Sequence, residues 1–161
     1  MSIFAPSRLL KRLRTDERGS VVTEAAIILP FLSAIGLGAI DASFMLLQNH
    51  KMEQALVNAA NFMSQSQTPV SFENQAKKLA VTGTLDNAAA PILKNWKASD
   101  ITITYRLVPN TNGNYRGGEY IRIVELNSAL PYQGFGIIKS IRGSNPVLKA
   151  SYQQRLTSEL S

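Results

Sequence analysis

Residues 16–41, DERGSVVTEAAIILPFLSAIGLGAID, decide how the rest of the chain is read. From Val21 to Ile40 the residues are almost wholly apolar. Wound as an α-helix at ~1.5 Å per residue, that run is roughly 30 Å long, the thickness of a bilayer's hydrocarbon core. Two residues do not suit a plain span. Glu24 brings a carboxylate inside its first turns, and Pro30 removes a backbone donor near its middle. A carboxylate at membrane depth costs about 2.5–3.5 kcal/mol at the helix centre, and such residues pair with something and mark function. Glu24 lies near one end of the run, so its side chain can also snorkel to the interface.

The flanks give a direction. Arg8, Lys11, Arg12, Arg14 and Arg18 precede the run against Asp16 and Glu17, and no lysine or arginine follows until Lys51. The positive-inside rule therefore predicts a cytoplasmic basic leader, 1–19, and carries the C-terminal bulk across the membrane. Much of the net charge of +6 is thus a topology signal. No basic stripe interleaved with aromatics occurs downstream, so nucleic acid is not an expected partner. The absence of cysteine excludes disulfides, thiolate metal sites and cysteine nucleophiles. A length of 161 residues leaves room for one modest domain plus an anchor.

Three readings compete for the apolar run. A cleavable secretory signal has a shorter apolar core and a small-x-small site, and LGAIDAS (37–43) offers small residues. A plain single-pass anchor accounts for length and charge but leaves Glu24 unexplained. The third takes Gly19 and Glu24 together: RG, then SVVTE, then an apolar helix, all behind a basic leader. This arrangement resembles the processing site of type IV prepilins. The resemblance implies cleavage after Gly19 by a prepilin peptidase, a new N-terminus at Ser20, and Glu24 at the fifth place of the mature chain. Cutting would create an ammonium group close to the Glu24 carboxylate, or to that of a neighbouring subunit. Two ions that are each costly in lipid can then neutralise one another.

The likeness extends downstream. Arg18-Gly19, Glu24, Leu29-Pro30 and the small-residue stretch ALVNAAN (55–61) together resemble the TadE/TadG family of tight-adherence (Flp, type IVb) pilus assembly. Many members carry an acidic-aromatic pair near the end of the span, where this chain has Asp41-Ala42. The family implies a pilin-like component of the inner membrane, with its C-terminal domain in the periplasm, acting by subunit docking and not by catalysis. Implied partners are the membrane, other pilin-like subunits, inner-membrane platform proteins and the prepilin peptidase. Neither a cofactor, a metal nor a small-molecule substrate is implied. Within the span, Glu24 and Pro30 are the candidate docking residues.

Beyond Asp41 no proline or glycine interrupts the chain until Pro69. Met45, Met52, Leu56, Ala59, Ala60 and Met63 recur at helical intervals, so one helix is expected over 20–66, transmembrane first and amphipathic after. That stripe packs either on the chain's own sheet or in a bundle with partner subunits. Thr68-Pro69 ends the helix, and Ser71 is placed to cap a short second one with Phe72, Ala76, Leu79 and Ala80 on one face, closed by Gly83. Trp96 is expected to anchor the connector AAPILKNWK (89–97) to the core. Alternating residues predict strands at 100–109, with Ile101, Ile103, Tyr105 and Leu107 on one face, and at 119–130 and 145–156. A turn-rich NTNGNYRGG (110–118) joins the first two, and GFGIIKSIRG (134–143), with aromatic, aliphatic and basic residues, is read as a loop that either tucks on the sheet or meets a partner or the membrane surface. A long helix, a short helix and a three-stranded antiparallel meander make an α+β fold, with residues 67–161 as the soluble α+β domain.

Residues for chemistry are sparse. His50 has no metal-ligating neighbour at helical spacing, and the glycine-rich GNYRGGEY (113–120) lacks the following helix that phosphate cradling needs. Asp86, Asp100, Glu119 and Glu125 form no hydrolytic pair in sequence. The chain is therefore not expected to be an enzyme. A second class stays open: a signal-anchored envelope protein whose α+β domain binds a ligand or peptide.

Overall fold

Helix α1 runs from Glu17 to Gln65 in the computed structural model, which describes residues 17–66, 68–86, 88–111 and 119–157. The leader, apart from the helical backbone of 17–19, and most of the turn 110–118 lie outside the described residues. The helix continues through Pro30, although proline leaves the Ala26 carbonyl without its usual donor. By internal contacts the chain divides after Ile40. The first unit is the apolar half of α1, with Val21, Ile28, Phe31 and Ile35 all exposed. It is the one described helix long and apolar enough to cross a membrane.

The second unit begins at Asp41. Its remaining elements are α2 (Glu73–Thr82), β1 (Ile101–Pro109), β2 (Tyr120–Pro131), α3 (Ile137–Arg142) and β3 (Val147–Arg155), with short 3-10 turns at Pro69–Phe72 and Ala98–Asp100. The three strands form an antiparallel meander in sequence order. β1 pairs with β2 from Ile101↔Ser128 to Pro109↔Tyr120, and β2 with β3 from Ile123↔Arg155 to Pro131↔Val147. Because side chains alternate across a strand, one register presents Val124, Leu126 and Leu130 of β2 with Leu148 and Ala150 of β3 to a single core. The amphipathic half of α1 fills the same core: Met52, Leu56, Ala59, Ala60 and Met63 have no exposed surface, and Met45 packs at its margin.

Connections explain how the helices stop. Gly83 adopts φ +74°, and its amide closes α2 by donating to the Leu79 carbonyl at 2.8 Å. Only glycine enters that left-handed region at little cost. Trp96 is buried, and its indole Nε1–H donates to Ser128 Oγ at 2.9 Å, so the one polar core position of β2 satisfies the ring's only donor. The expected anchoring of the connector is therefore observed.

Two local expectations are corrected. Ser71 does not cap α2. Pro69 initiates a 3-10 turn, the Ser71 amide donates to the Thr68 carbonyl, and α2 starts at Glu73 behind Phe72 with no side-chain cap. Leu107 lies in β1 on the face of Ile101, Ile103 and Tyr105, as the alternation predicts, and is exposed where it pairs with Arg122 near the end of the hairpin. The segment 134–143 is not simply a loop. It holds α3, bracketed by Gly136 at φ +88° and Gly143 at φ +79°. No periodicity betrays so short a helix, since its amino-terminal amide finds its acceptor far away in sequence.

Candidate functional site in the N-terminal helix

Two carboxylates on α1 divide the candidate site between them, and their surroundings are opposite. Glu24 and Ser20 lie on the apolar half of the helix with their side chains exposed. Glu24 is surrounded in sequence by Val21, Val22, Ile27 and Ile28, which stand open in the same way. Gly19 contributes helical backbone. At Gly36 and Gly38 an added Cβ would meet nothing within 4 Å, so that stretch presents a low surface with room for another helix. Every feature expected to serve cleavage or docking in the membrane thus lies on one stretch of helix whose apolar side chains are exposed among the described residues.

The stripe from Met45 to Met63 is placed differently. Met52, Leu56, Ala59, Ala60 and Met63 are buried in one cluster with side chains of β2, β3 and α2, and Met45 packs against its edge. His50 is exposed and lies beside Glu53 at 3.8 Å and Gln54 at 3.1 Å, all on the helix surface. No group of three His, Asp or Glu side chains among the described residues is arranged to hold a metal.

Asp41 is the residue that sequence reasoning passed over. It has no exposed surface, and its carboxylate gathers donors from a segment more than ninety residues away. The Tyr132 hydroxyl donates to Oδ1 at 2.5 Å, with the Asp41 carbonyl oxygen 2.8 Å from the same hydroxyl. The Phe135 amide donates to Oδ1 at 3.1 Å, and the Ile138 amide to Oδ2 at 3.0 Å. One aspartate therefore caps the first turn of α3, in the way a local N-cap would, and pins the loop before it. The Tyr132 hydrogen bond, then the Ile138 amide, hold the Asp41 carboxyl below its ordinary pKa against the opposing effect of burial. Burial, with the neighbouring carboxylate adding, pushes the Tyr132 phenol up to about 12. A signal existed: Asp41 is the only acidic residue between Glu24 and Glu53.

Gly134 makes that approach possible. A Cβ there would collide with the Tyr132 hydroxyl and the Asp41 carboxylate. Gly134→Ala is accordingly expected to destabilise the second unit by about 1–3 kcal/mol, the usual penalty for overpacking. Urea unfolding of the full-length protein in detergent measures it. A midpoint unchanged from wild type would show that the loop can move aside.

Residues 19–61 match the family described as TadE-like protein, from the glycine before Ser20 through the apolar run and into the buried stripe. No curated protein and no solved structure matches the chain. A TadE-like segment carried on one long apolar N-terminal helix fits a pilus-related membrane protein.

Proposed function

We propose that the chain is a pilin-like, TadE-type component of tight-adherence (Flp, type IVb) pilus biogenesis that works by docking with other subunits. The observation that carries this is the position of the TadE-like match. It begins at Gly19 and covers the stretch where Glu24, Pro30, Gly36 and Gly38 lie on a helix with uncovered apolar side chains. In this reading the chain crosses the inner membrane once, with residues 1–19 in the cytoplasm and residues 67–161 in the periplasm. A prepilin peptidase cuts after Gly19, and the ammonium of Ser20 pairs with the Glu24 carboxylate of the same or a neighbouring subunit. Pro30 supports docking by leaving a carbonyl open to a partner in the apolar medium. The soluble domain faces the other pilin-like subunits and the platform proteins. TadE-like proteins are a family of pilus structural components, and no catalytic step is needed for this work.

The test is the N-terminus itself. Protein extracted from membranes of cells that contain the cognate prepilin peptidase should begin at Ser20 by mass spectrometry, and the Gly19→Ala variant should keep its leader. An intact leader on the wild-type protein would overturn the processing step and the ion pair that depends on it.

A further inference from the structure

The segment that Asp41 fastens has a composition that the folded domain does not use. Phe135 is 69% exposed and Ile141 82% exposed, the latter the most open large apolar side chain among the described residues. Lys139 and Arg142 lie in the last turn of α3 with Ile141, exposed, and neither makes an ion pair among the described residues. The Phe135 ring meets that of Phe44 edge-on at 5.2 Å, and Phe44 is itself partly open to solvent. Scattered exposed apolar residues need no explanation, but apolar tips interleaved with cations on one short segment are the composition of an interfacial element.

Its location selects the partner. Asp41 follows directly on Ile40, the last residue of the apolar run, and holds the Phe135 and Ile138 amides at 3.1 and 3.0 Å. Phe44 is three residues further along the same helix, about 4.5 Å of rise. The polar layer on each side of a hydrocarbon core is roughly 5–7 Å thick. A segment bonded to Asp41 is therefore held within that layer's reach of the point where the span ends. A soluble partner would have to compete there with lipid headgroups that are tethered in place.

We infer that Phe135–Arg142 is a membrane-surface contact. Phe135 and Ile141 enter the boundary between headgroups and acyl chains, and Lys139 and Arg142 take up the phosphates of anionic lipids. The contact holds this edge of the domain on the bilayer. It rests on insertion of residues 21–40 and is independent of any role in pilus assembly.

The absence of cysteine makes site-specific labelling direct. The full-length protein is reconstituted in phosphatidylcholine vesicles containing phosphatidylglycerol, with a nitroxide at Leu32→Cys, Ser151→Cys or Ile141→Cys in turn. Ser140→Cys serves as a second reporter that leaves Ile141 in place. Collision with oxygen, which concentrates in lipid, is compared with collision with a water-soluble nickel chelate. The label at Leu32 should report the bilayer interior and that at Ser151 bulk water. Labels at positions 140 and 141 should lie about 5–10 Å into the headgroup and acyl boundary. Lys139→Glu with Arg142→Glu, or omission of phosphatidylglycerol, should shift them towards water. Nickel accessibility at 140 and 141 equal to that at Ser151, with Leu32 still in lipid, overturns the contact and leaves insertion standing. Shielding of 140 and 141 from both quenchers points to a protein surface and also overturns it. Aqueous accessibility at Leu32 overturns insertion and the contact together.

Discussion

Glu24→Leu is expected to abolish fibre assembly while the protein stays at its normal level with its second unit folded. The Glu24 side chain is exposed, so the core does not depend on it, and leucine suits an apolar helix in lipid. What the substitution removes is the proposed acceptor for the Ser20 ammonium. Breaking an ion pair held away from water, leaving one charge unpaired, costs about 3–5 kcal/mol. Docking should then weaken by roughly two to four orders of magnitude. Counting fibres by electron microscopy, beside an immunoblot of membrane-extracted protein, measures both halves of the expectation. Glu24→Asp should restore part of the assembly by retaining the charge at a shorter reach. Normal piliation in Glu24→Leu would sink the docking role and favour the other class, an anchored envelope protein whose domain binds a ligand or peptide.

Asp41→Ala should have the reverse signature, a loss of fold before any loss of docking. The substitution strands the amides of Phe135 and Ile138, leaves the Tyr132 hydroxyl only the backbone carbonyl at position 41, and releases α3 from its remote cap. A donor left without its acceptor away from water costs about 1–3 kcal/mol. For a domain of this size each kcal/mol moves Tm by about 2–8 °C, so a fall of roughly 10 °C is expected. Asp41→Asn should lie between, since its carbonyl oxygen still accepts while its amide nitrogen faces another donor.

The same contact predicts a pH window. The Asp41 carboxyl is lowered in the folded chain, first by Tyr132 and next by the Ile138 amide. Its contribution is therefore present above the ordinary carboxylate range, about pH 4, and is lost as pH falls through the lower folded value. Tyr132 is raised to about 12, so its contribution is present below about pH 10 and is lost as pH rises towards 12. The stability difference between wild type and Asp41→Asn should be flat between these limits and shrink outside them. Tyr132→Phe should remove the alkaline limb and reduce the acidic one to the part that the Ile138 and Phe135 amides supply. A difference that does not vary between pH 3 and pH 5 would show that the carboxylate is not what binds the loop (these limits being about one unit either side of the ordinary value).

Much of this architecture follows from local pattern. The apolar run, the stripe from Met45 to Met63 and the period-two strands each carry their own periodicity, so the long helix and the meander are legible residue by residue. Gly83 and Trp96 are legible for related reasons: one supplies a backbone conformation, the other an apolar bulk with a single donor. Ser71 misleads because Pro69, two residues earlier, imposes a tighter turn that moves the helix start. Alternation gave Leu107 its face, and only the fold shows that the core ends before it. α3 is invisible because six residues hold too little periodicity to declare a helix.

The sequence by itself determined that a long apolar helix leads into an α+β domain, and it singled out Glu24 beside Gly19 as a carboxylate needing a partner. Those conclusions rest on hydrophobic period, charge order and residue spacing, which are properties of neighbours along the chain. Only the tertiary structure decided the part played by the second carboxylate. Asp41 stands at the end of the apolar run, and its partners are set by the β2 register and the path of the loop after Pro131. Hydrogen bonds across more than ninety residues leave no periodic trace, so the residue that fastens the domain could be identified only when the chain had folded around it.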